Sequence, residues 1–142
     1  MTSHGSCLCG GVAFEMTGTP IVVTHCHCSQ CRKVRGTANA TNLAVALDGV
    51  RYLRGEELLT TFRAPDKKYF AHAFCKVCGA SMPRMDVERG IAIVPMGAFD
   101  DDPGVLPERH IFVASKAPWD RITDDLPQLP ENVAGILPRP RG

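Results

Sequence analysis

The stretch HCHCSQC at residues 25–31 concentrates side chains that can bind a metal ion. Five of its seven positions are metal-ligating types, namely His25, Cys26, His27, Cys28 and Cys31. The chain has seven cysteines in all, and the other four form two pairs, Cys7 with Cys9 and Cys75 with Cys78. Because an odd number of cysteines fits poorly with a closed set of disulfides, this pattern indicates metal or redox chemistry.

The two outer pairs together supply four thiolates. In an extended strand, residues two apart project from the same face, so Cys7 and Cys9 can point at one ion. Cys75 and Cys78 bracket a tight turn that ends at Gly79, which is typical of a knuckle around a metal. Four thiolates are what a closed, tetrahedral structural zinc site requires. Buried free cysteines and a redox-active pair at Cys75 and Cys78 are the alternatives.

The central triplet predicts a different kind of site. If the chain is extended there, Cys26 and Cys28 share a face, and the turn that follows brings Cys31 back to the same point. Three thiolates with an open fourth position are the pattern of a reactive zinc site. His25 and His27 then point away, and we expect them to pack or to support the ligands rather than to bind metal. A distant residue such as His72 could still close the site.

The charge of a three-thiolate zinc site indicates which ligand suits the open position. Such a centre is anionic and electron-rich, so it generates hydroxide poorly and favours another sulfur ligand. A thiol that bound there would lose its proton and become a nucleophile. Directly after Cys31 comes the basic run Arg32-Lys33-Val34-Arg35. We hypothesise that at least Arg32 offsets the negative charge or binds an anionic substrate group; the alternative is a solvated basic turn.

The rest of the chain predicts the elements that must position these residues. Its 142 residues suffice for one domain, and glycines and prolines divide it into short segments rich in β-branched and aromatic residues. Two short helices are expected, at 29–36 and near 119–126. We therefore predict a mainly β domain over 1–142 with a core at about 5–131 and a proline-rich tail at about 127–142. The predicted strands are 11–16, 20–26, 40–47, 50–53, 58–63, 67–74, 90–96 and 109–114.

Composition and charge argue against several classes of function. The 16 basic and 15 acidic residues give a net charge of +1, and no basic stripe with interleaved aromatic residues is present, so we expect no nucleic-acid partner. No apolar run approaches the ~20 residues that span a bilayer. The start of the sequence does not have the pattern of a signal peptide. We expect a cytoplasmic protein, since thiols stay reduced in the cytosol.

Three motifs resemble one known family when they are taken in this order and spacing. They are GSCLCGGVAF (5–14), HCHCSQCRK (25–33) and FCKVCGASM (74–82). Together with IFVASKAPWDRITDDLPQLPE (111–131), they resemble the glutathione-dependent formaldehyde-activating enzymes, and in particular a shorter branch of that family. The resemblance covers about residues 5–131.

The resemblance implies a fold, two metal sites and a reaction. The fold is a zinc-bearing β fold similar to that of methionine sulfoxide reductase B. The implied reaction is of the carbon–sulfur lyase class and joins formaldehyde to glutathione, giving S-hydroxymethylglutathione, so the expected partner is a small thiol. Two Zn²⁺ ions are implied per chain, a structural one on Cys7, Cys9, Cys75 and Cys78 and a catalytic-type one on Cys26, Cys28 and Cys31.

Two further expectations stay open at the level of sequence. Lys116 and Trp119 lie in the matching C-terminal segment and could line a pocket, although a core position for Trp119 is at least equally compatible with the sequence. The alternative to an enzyme is a zinc-stabilised binding module without catalysis. The open three-thiolate site favours the enzyme, because a purely structural site is expected to close with a fourth ligand.

Overall fold

The protein is mainly β, as the sequence predicts. The computed structural model describes residues 2–65 and 70–131, and within these ranges it has ten short strands and one α-helix. The strands are β1 Ser3–Ser6, β2 Ala13–Met16, β3 Pro20–Cys26, β4 Ala40–Ala46, β5 Val50–Arg54, β6 Leu59–Arg63, β7 Ala71–Cys75, β8 Arg84–Asp86, β9 Ile91–Pro95 and β10 Arg109–Ile111. The helix α1 spans Ser29–Arg35, and 3₁₀ turns lie at Leu47–Gly49, Glu56–Leu58, Met96–Ala98 and Val113–Ser115.

The strands form three sheets. The largest has the order β10-β3-β4-β9-β8, a second has the order β1-β2-β5, and β6 pairs with β7. All pairings are antiparallel except that of β10 with β3, in which His110 lies opposite His25 and Ile111 opposite Cys26. The C-terminal part of the described chain therefore adds an edge strand directly beside the strand that leads into the cysteine triplet.

The core lies between the five-stranded and three-stranded sheets. Phe14 of β2 is fully buried and meets Tyr52 and Phe99 edge-on, at ring-centroid distances of 6.5 and 5.6 Å. Leu43 of β4 and Val94 of β9 are buried in the same cluster. Since burial of one such side chain contributes about 1.5–3 kcal/mol, this cluster holds the sheets that position the cysteine turns.

Strands rich in β-branched and aromatic residues were predictable, whereas two strands without such residues were not. The sequences of β1 (SHGS) and β8 (RMD) carry no strand signal, and these segments become strands only through pairing with β2 and β9. Helix α1 is confirmed. The predicted strand 67–74 is observed as β7, and its residues 67–69 lie outside the described residues.

The predicted helix near 119–126 is wrong. No helix forms there, because Leu126 N–H donates instead to the Asp124 carboxylate, at 3.0 Å, in a local turn. The chain then runs beside β10, where His110 N–H donates to Pro127 C=O and Leu129 N–H donates to His110 C=O. The predicted tail thus begins as extended chain on β10, and residues 132–142 lie outside the described part.

A core position for Trp119 is also wrong, since its side chain is 68% exposed. None of the helices in the described ranges is long and apolar enough to cross a membrane. The predicted similarity to methionine sulfoxide reductase B stays a prediction.

Candidate metal centres

Two turns hold the outer cysteine pairs, one after β1 and one after β7. The sulfurs of Cys7, Cys9, Cys75 and Cys78 all lie within 4.8 Å of one another. In each turn the residue after the last cysteine is a glycine with positive φ, Gly10 at 77° and Gly79 at 75°. Other residues adopt this conformation only at a cost of about 1–2 kcal/mol, so these glycines let the backbone curl around the sulfurs.

The expectation that Cys7 and Cys9 lie on an extended strand is wrong. Strand β1 ends at Ser6, and the chain turns at once, with Gly10 N–H donating to Cys7 C=O at 3.0 Å. The reason is that Val12 N–H donates to the Cys7 sulfur, at 3.2 Å, while Cys7 N–H donates to Val12 C=O, at 3.0 Å. Cys7 and Val12 thereby close a tight hairpin, and the two sulfurs converge through the turn.

The spacing of the four sulfurs suits a tetrahedral zinc ion. At a Zn–S distance of ~2.3 Å, the sulfurs of such a site lie about 3.8 Å apart. The observed separations are 3.5 Å between Cys7 and Cys9 and 3.9 Å between Cys9 and Cys75. Backbone hydrogen bonds from Ala80 and Cys9 lower the pKa of Cys78 to about 6, so this thiol is readily ionised. This four-thiol cluster could bind a metal ion.

The central triplet lies where β3 ends and α1 begins. Cys26 is the last residue of the strand, Cys28 is the N-cap of the helix, and Cys31 lies in its first turn. The N-cap backbone is extended, with φ −63° and ψ 153°, and the Cys28 sulfur accepts a hydrogen bond from Cys31 N–H at 3.3 Å. The cap that starts the helix therefore also gathers the three sulfurs, which lie within 4.8 Å of one another.

The three thiols interact strongly with one another. Hydrogen bonds from the side chains of Cys26 and Cys31 lower the pKa of Cys28 to about 3. Within the described residues, no histidine, carboxylate or further cysteine joins this three-thiol cluster. His72 lines a pocket beside Cys31 without entering the cluster. This cluster could also bind a metal ion, and it offers three sulfur ligands.

A small cavity of about 90 Å³ opens beside the three-thiol cluster, lined by Cys31, Arg35, His72 and Arg84 among others. A larger groove of about 520 Å³ runs along Cys7 of the other cluster, and Arg35 and Met82 line both cavities. Size favours the groove as a binding site, but chemistry favours the small cavity, since only the cluster beside it has fewer than four sulfurs.

Arg35 is a functional candidate that sequence reasoning did not single out. Burial lowers the pKa of its guanidinium, and the charges of Cys31 and Cys26 act against this shift. Its Nη2 donates to Asn42 Oδ1 at 2.8 Å, while its buried Nε has no hydrogen-bond partner. The proposed role of Arg32, whose buried Nε also lacks a partner, stays a prediction.

The two histidines of the central stretch, His25 and His27, contact His110 rather than the three-thiol cluster. His27 is fully buried, and its Nε2 lies 2.8 Å from His110 Nδ1. The Nε2 of His110 lies 3.0 Å from both carboxylate oxygens of Asp124. His25 stacks on His110 at a centroid distance of 4.8 Å. His110 and Asp124 lie about 80–100 residues from the triplet, so no local sequence signal could link them to it.

Lys116 and Trp119 line neither of the two cavities. Lys116 Nζ donates to the carbonyl oxygen of Asp120 at 2.6 Å, so it stabilises the turn after the last 3₁₀ segment. The side chain of Asp120 lies 3.7 Å from the buried Nδ1 of His27. The turn that contains Asp120 therefore approaches His27, between Cys26 and Cys28, through a carboxylate.

Comparison with known proteins agrees with this arrangement. One similar solved structure is the crystal structure of a Rhodobacter sphaeroides protein, with 25% sequence identity and a TM-score of 0.55, covering 73% of this chain and 97% of that one. No curated protein matches this chain significantly. The sequence model described as glutathione-dependent formaldehyde-activating enzyme matches residues 2–115, a span that holds both cysteine clusters. The chain therefore belongs to the family of glutathione-dependent formaldehyde-activating enzymes.

Proposed function

We propose that the protein is a zinc-dependent enzyme of the carbon–sulfur lyase type that acts on a small thiol adduct. The formation of S-hydroxymethylglutathione from formaldehyde and glutathione is the reaction that its family suggests. The observation that carries the proposal is the convergence of three sulfurs, with no fourth ligand among the described residues, beside a small cavity. Thiol chemistry of this kind suits the reducing cytosol, where we place the protein.

The two cysteine clusters fit two zinc ions of different roles. The four-thiol cluster has the ligand number of a closed structural site, and its sulfur separations fit a tetrahedron. The three-thiol cluster has the ligand number of a site that accepts one more ligand. Zinc held there would supply a soft position at which a substrate thiol stays ionised.

The side chains around the three-thiol cluster would bind and orient the reactants. A cavity of about 90 Å³ has room for formaldehyde and the reacting thiol group, but not for a whole tripeptide. The groove of about 520 Å³ has the size of common ligand sites, and a ligand that filled both cavities would pass Arg35. Arg35 and Arg32 would offset the negative charge of the thiolates.

The bond changes in the proposed reaction are simple. The thiolate sulfur of the substrate attacks the carbonyl carbon of formaldehyde, and a carbon–sulfur bond forms. The electron pair of the broken C=O π bond moves to the oxygen, which then takes up a proton. A nearby guanidinium favours the developing negative charge on that oxygen, and Arg35 is placed for this role because it lines the cavity beside Cys31.

The proposal is tested by exchange NMR with formaldehyde and glutathione, measured against the uncatalysed rate. We expect the wild-type protein to carry two zinc ions and to accelerate the exchange. The variant Cys31→Ser should lose one zinc ion and the acceleration. Lys33→Gln is the matched control, because Lys33 is exposed on the same helix, and it should keep both.

Two outcomes would contradict the proposal. Acceleration that survives in Cys31→Ser would show that the three-thiol cluster is not the active site. A wild-type protein that holds zinc but responds neither to glutathione nor to formaldehyde would instead support a zinc-stabilised binding module.

A further inference from the structure

A third group of ligand-type side chains lies at the junction of β3, β10 and the C-terminal segment. One ligand atom from each of His25, His110 and Asp124 lies within 4.8 Å of the other two. The His110 ring is almost fully buried, whereas the Asp124 side chain is 43% exposed, so the group opens to solvent on one side. Two imidazoles and one carboxylate are a common ligand set for divalent transition-metal ions.

The hydrogen bonds of His25 define which of its ring nitrogens is available. Thr41 Oγ1 lies 2.8 Å from His25 Nδ1 and 3.3 Å from Asn39 Oδ1, to which it can donate its proton. His25 Nδ1 also lies 3.3 Å from Asn39 Oδ1, which is again an acceptor. Because Asn39 Oδ1 can only accept, this contact favours a proton on His25 Nδ1, which leaves the lone pair of Nε2 free.

As long as its ring is neutral, His110 can arrange its proton in two ways. If Nε2–H donates to Asp124, then His110 Nδ1 accepts from His27 Nε2–H. The Nδ1 of His27 would then be a bare lone pair that is buried, has no hydrogen-bond partner and faces the Asp120 carboxylate at 3.7 Å. In this arrangement two hydrogen-bond acceptors, His27 Nδ1 and the Asp120 carboxylate, face each other in the protein interior, which is unfavourable.

The opposite arrangement removes that conflict. His27 Nδ1–H then points to Asp120, and His110 Nδ1–H donates to His27 Nε2 at 2.8 Å. The lone pair of His110 Nε2 now faces the two oxygens of Asp124, each 3.0 Å away, so either a second proton or a metal ion is needed between them. A metal-bound histidine whose other N–H donates to a neighbouring group is the usual arrangement in protein metal sites.

We propose that His25, His110 and Asp124 form a third metal site, which takes a divalent first-row transition ion such as Zn²⁺ or Co²⁺. Ligands at ~2.1 Å from a tetrahedral ion are about 3.4 Å apart, so a small outward movement of the exposed Asp124 suffices to admit the ion. The ion would link the C-terminal segment to two strands of the main sheet. His27 lies behind the site and between two cysteines of the three-thiol cluster.

The site is tested on full-length protein that is loaded with two equivalents of Zn²⁺ per chain, enough for the two cysteine clusters alone, and then desalted. The protein is then titrated with Co²⁺, and bound cobalt and zinc are counted after desalting. We expect wild type to take up one cobalt ion per chain without loss of zinc. The spectrum should lack the strong charge-transfer absorption of thiolate-bound cobalt. Asp124→Asn and His25→Gln should lose this uptake, and Asp125→Asn, which changes the adjacent exposed acid, should keep it.

Three results would overturn the proposal. Wild-type protein that takes up no cobalt beyond its zinc would show that a proton, not a metal, lies between His110 and Asp124. Uptake that persists in Asp124→Asn would place the ion elsewhere. Cobalt that enters only by displacing zinc, with thiolate charge-transfer absorption, would be bound by cysteines. None of these results depends on catalysis, so the proposed function can fail or hold independently.

Discussion

Among single residues, Arg35 connects the features of the proposed active site. It lies on the helix that begins with two cysteines of the three-thiol cluster, and it lines both cavities. A half-buried guanidinium is costly unless negative charge lies nearby, and Cys26 and Cys31 would supply that charge when they are ionised. Arg35 is thus expected to matter when the thiolates are ionised.

Replacement of Arg35 should weaken the three-thiol site. We expect Arg35→Gln to lower zinc affinity at this site or the rate of the glutathione–formaldehyde reaction by about 10–100-fold, as is typical for residues that support metal ligands. Arg35→Lys should have zinc affinity and activity between those of wild type and Arg35→Gln, because it keeps the positive charge but loses the hydrogen bond to Asn42. Competition with a zinc chelator and exchange NMR measure the two effects.

The control for this prediction is Lys33→Gln, which removes an exposed charge from the same helix. It should change neither the zinc affinity nor the reaction rate by more than about 2-fold, since exposed charges contribute little. Equal effects of the two substitutions would mean that only the overall charge of the helix matters.

At the residue scale, the sequence predicts which cysteines come together better than it predicts the residues that surround them. The division of the cysteines into four and three follows from spacing, and the structure brings together the same two sets. The partners of His27 were not predictable, because His110 lies 83 residues away and pairs with it only through a parallel strand. For Cys7 and Cys9, the sequence predicted correctly that the two sulfurs lie close together but assumed an extended strand. The structure has a turn there, which also brings side chains two residues apart together.

Among the structural elements, the turn after β7 depends on a single glycine. Gly79 has φ of 75°, and a Cβ built there would meet no atom within 4 Å, so backbone strain is the only penalty for a larger residue. We expect Gly79→Ala to lower the free energy of unfolding by about 1–2 kcal/mol. Urea denaturation of the zinc-loaded protein measures this.

Gly97 offers a matched control for the strain at Gly79. A Cβ at Gly97 would also meet no atom within 4 Å, and its φ lies outside the left-handed region. Gly97→Ala should therefore stay within about 0.5 kcal/mol of wild type. If both alanine variants lost the same stability, a cause other than the positive φ would be responsible.

The end of β8 should make stability depend on pH. Burial opposes ionisation of Asp86, but hydrogen bonds from Arg89 and the charge of Arg84 outweigh it and lower its pKa. A carboxyl whose pKa is lower in the folded state stabilises the protein above its unfolded pKa of ~3.9, and this contribution is lost as the pH falls through the folded value. Asp86→Asn removes the contribution at every pH.

We therefore expect Asp86→Asn to lose about 1–3 kcal/mol of stability at pH 7, as for hydrogen bonds to charged groups. The difference from wild type should stay constant down to about pH 5 and shrink below about pH 4. Urea denaturation of both proteins across this range measures the difference, and zinc loss in acid affects both alike. A difference that stays the same at pH 3 would contradict the assigned role of the carboxylate.

The elements that were predictable are those with a strong local signal. The β-branched runs in β3, β4 and β9 gave strands at nearly the observed bounds, and α1 begins at the predicted serine. β1 and β8 form because a partner strand satisfies their backbone groups. The polar segment near 119–126 could not be assigned correctly, since it forms local turns, in which Asp120 N–H donates to Ala117 C=O and Leu126 N–H donates to the Asp124 carboxylate.

For the whole molecule, the four-thiol cluster links turns that are far apart in the sequence. Cys9 and Cys75, whose sulfurs lie 3.9 Å apart, are 66 residues apart. A metal that closes so long a loop only in the folded state should contribute strongly to stability. The three-thiol cluster closes only a short loop and should contribute less.

Removal of metal should therefore lower the melting temperature mainly through the four-thiol cluster. We expect a strong chelator to reduce the melting temperature of wild type and of Cys31→Ser to the same value. Without chelator, Cys31→Ser should melt close to wild type, because it leaves the four-thiol cluster intact. Circular dichroism with parallel metal analysis measures both. A chelated protein that melts at the wild-type temperature would show that the four-thiol cluster does not hold the fold together.

The parallel pairing of β10 with β3 has a consequence for how a new chain matures on the ribosome. All four thiols of the four-thiol cluster have been made once Cys78 is synthesised. The strand that covers His27 follows about 30 residues later, which is about 2–6 s at ~5–20 residues per second. For an interval of that length, a nascent chain could bind a metal ion at the four-thiol cluster while the three-thiol cluster still lacks its neighbouring strand. A released chain that ends before Arg109 should therefore bind metal at the four-thiol cluster but lack the strand beside the three-thiol cluster.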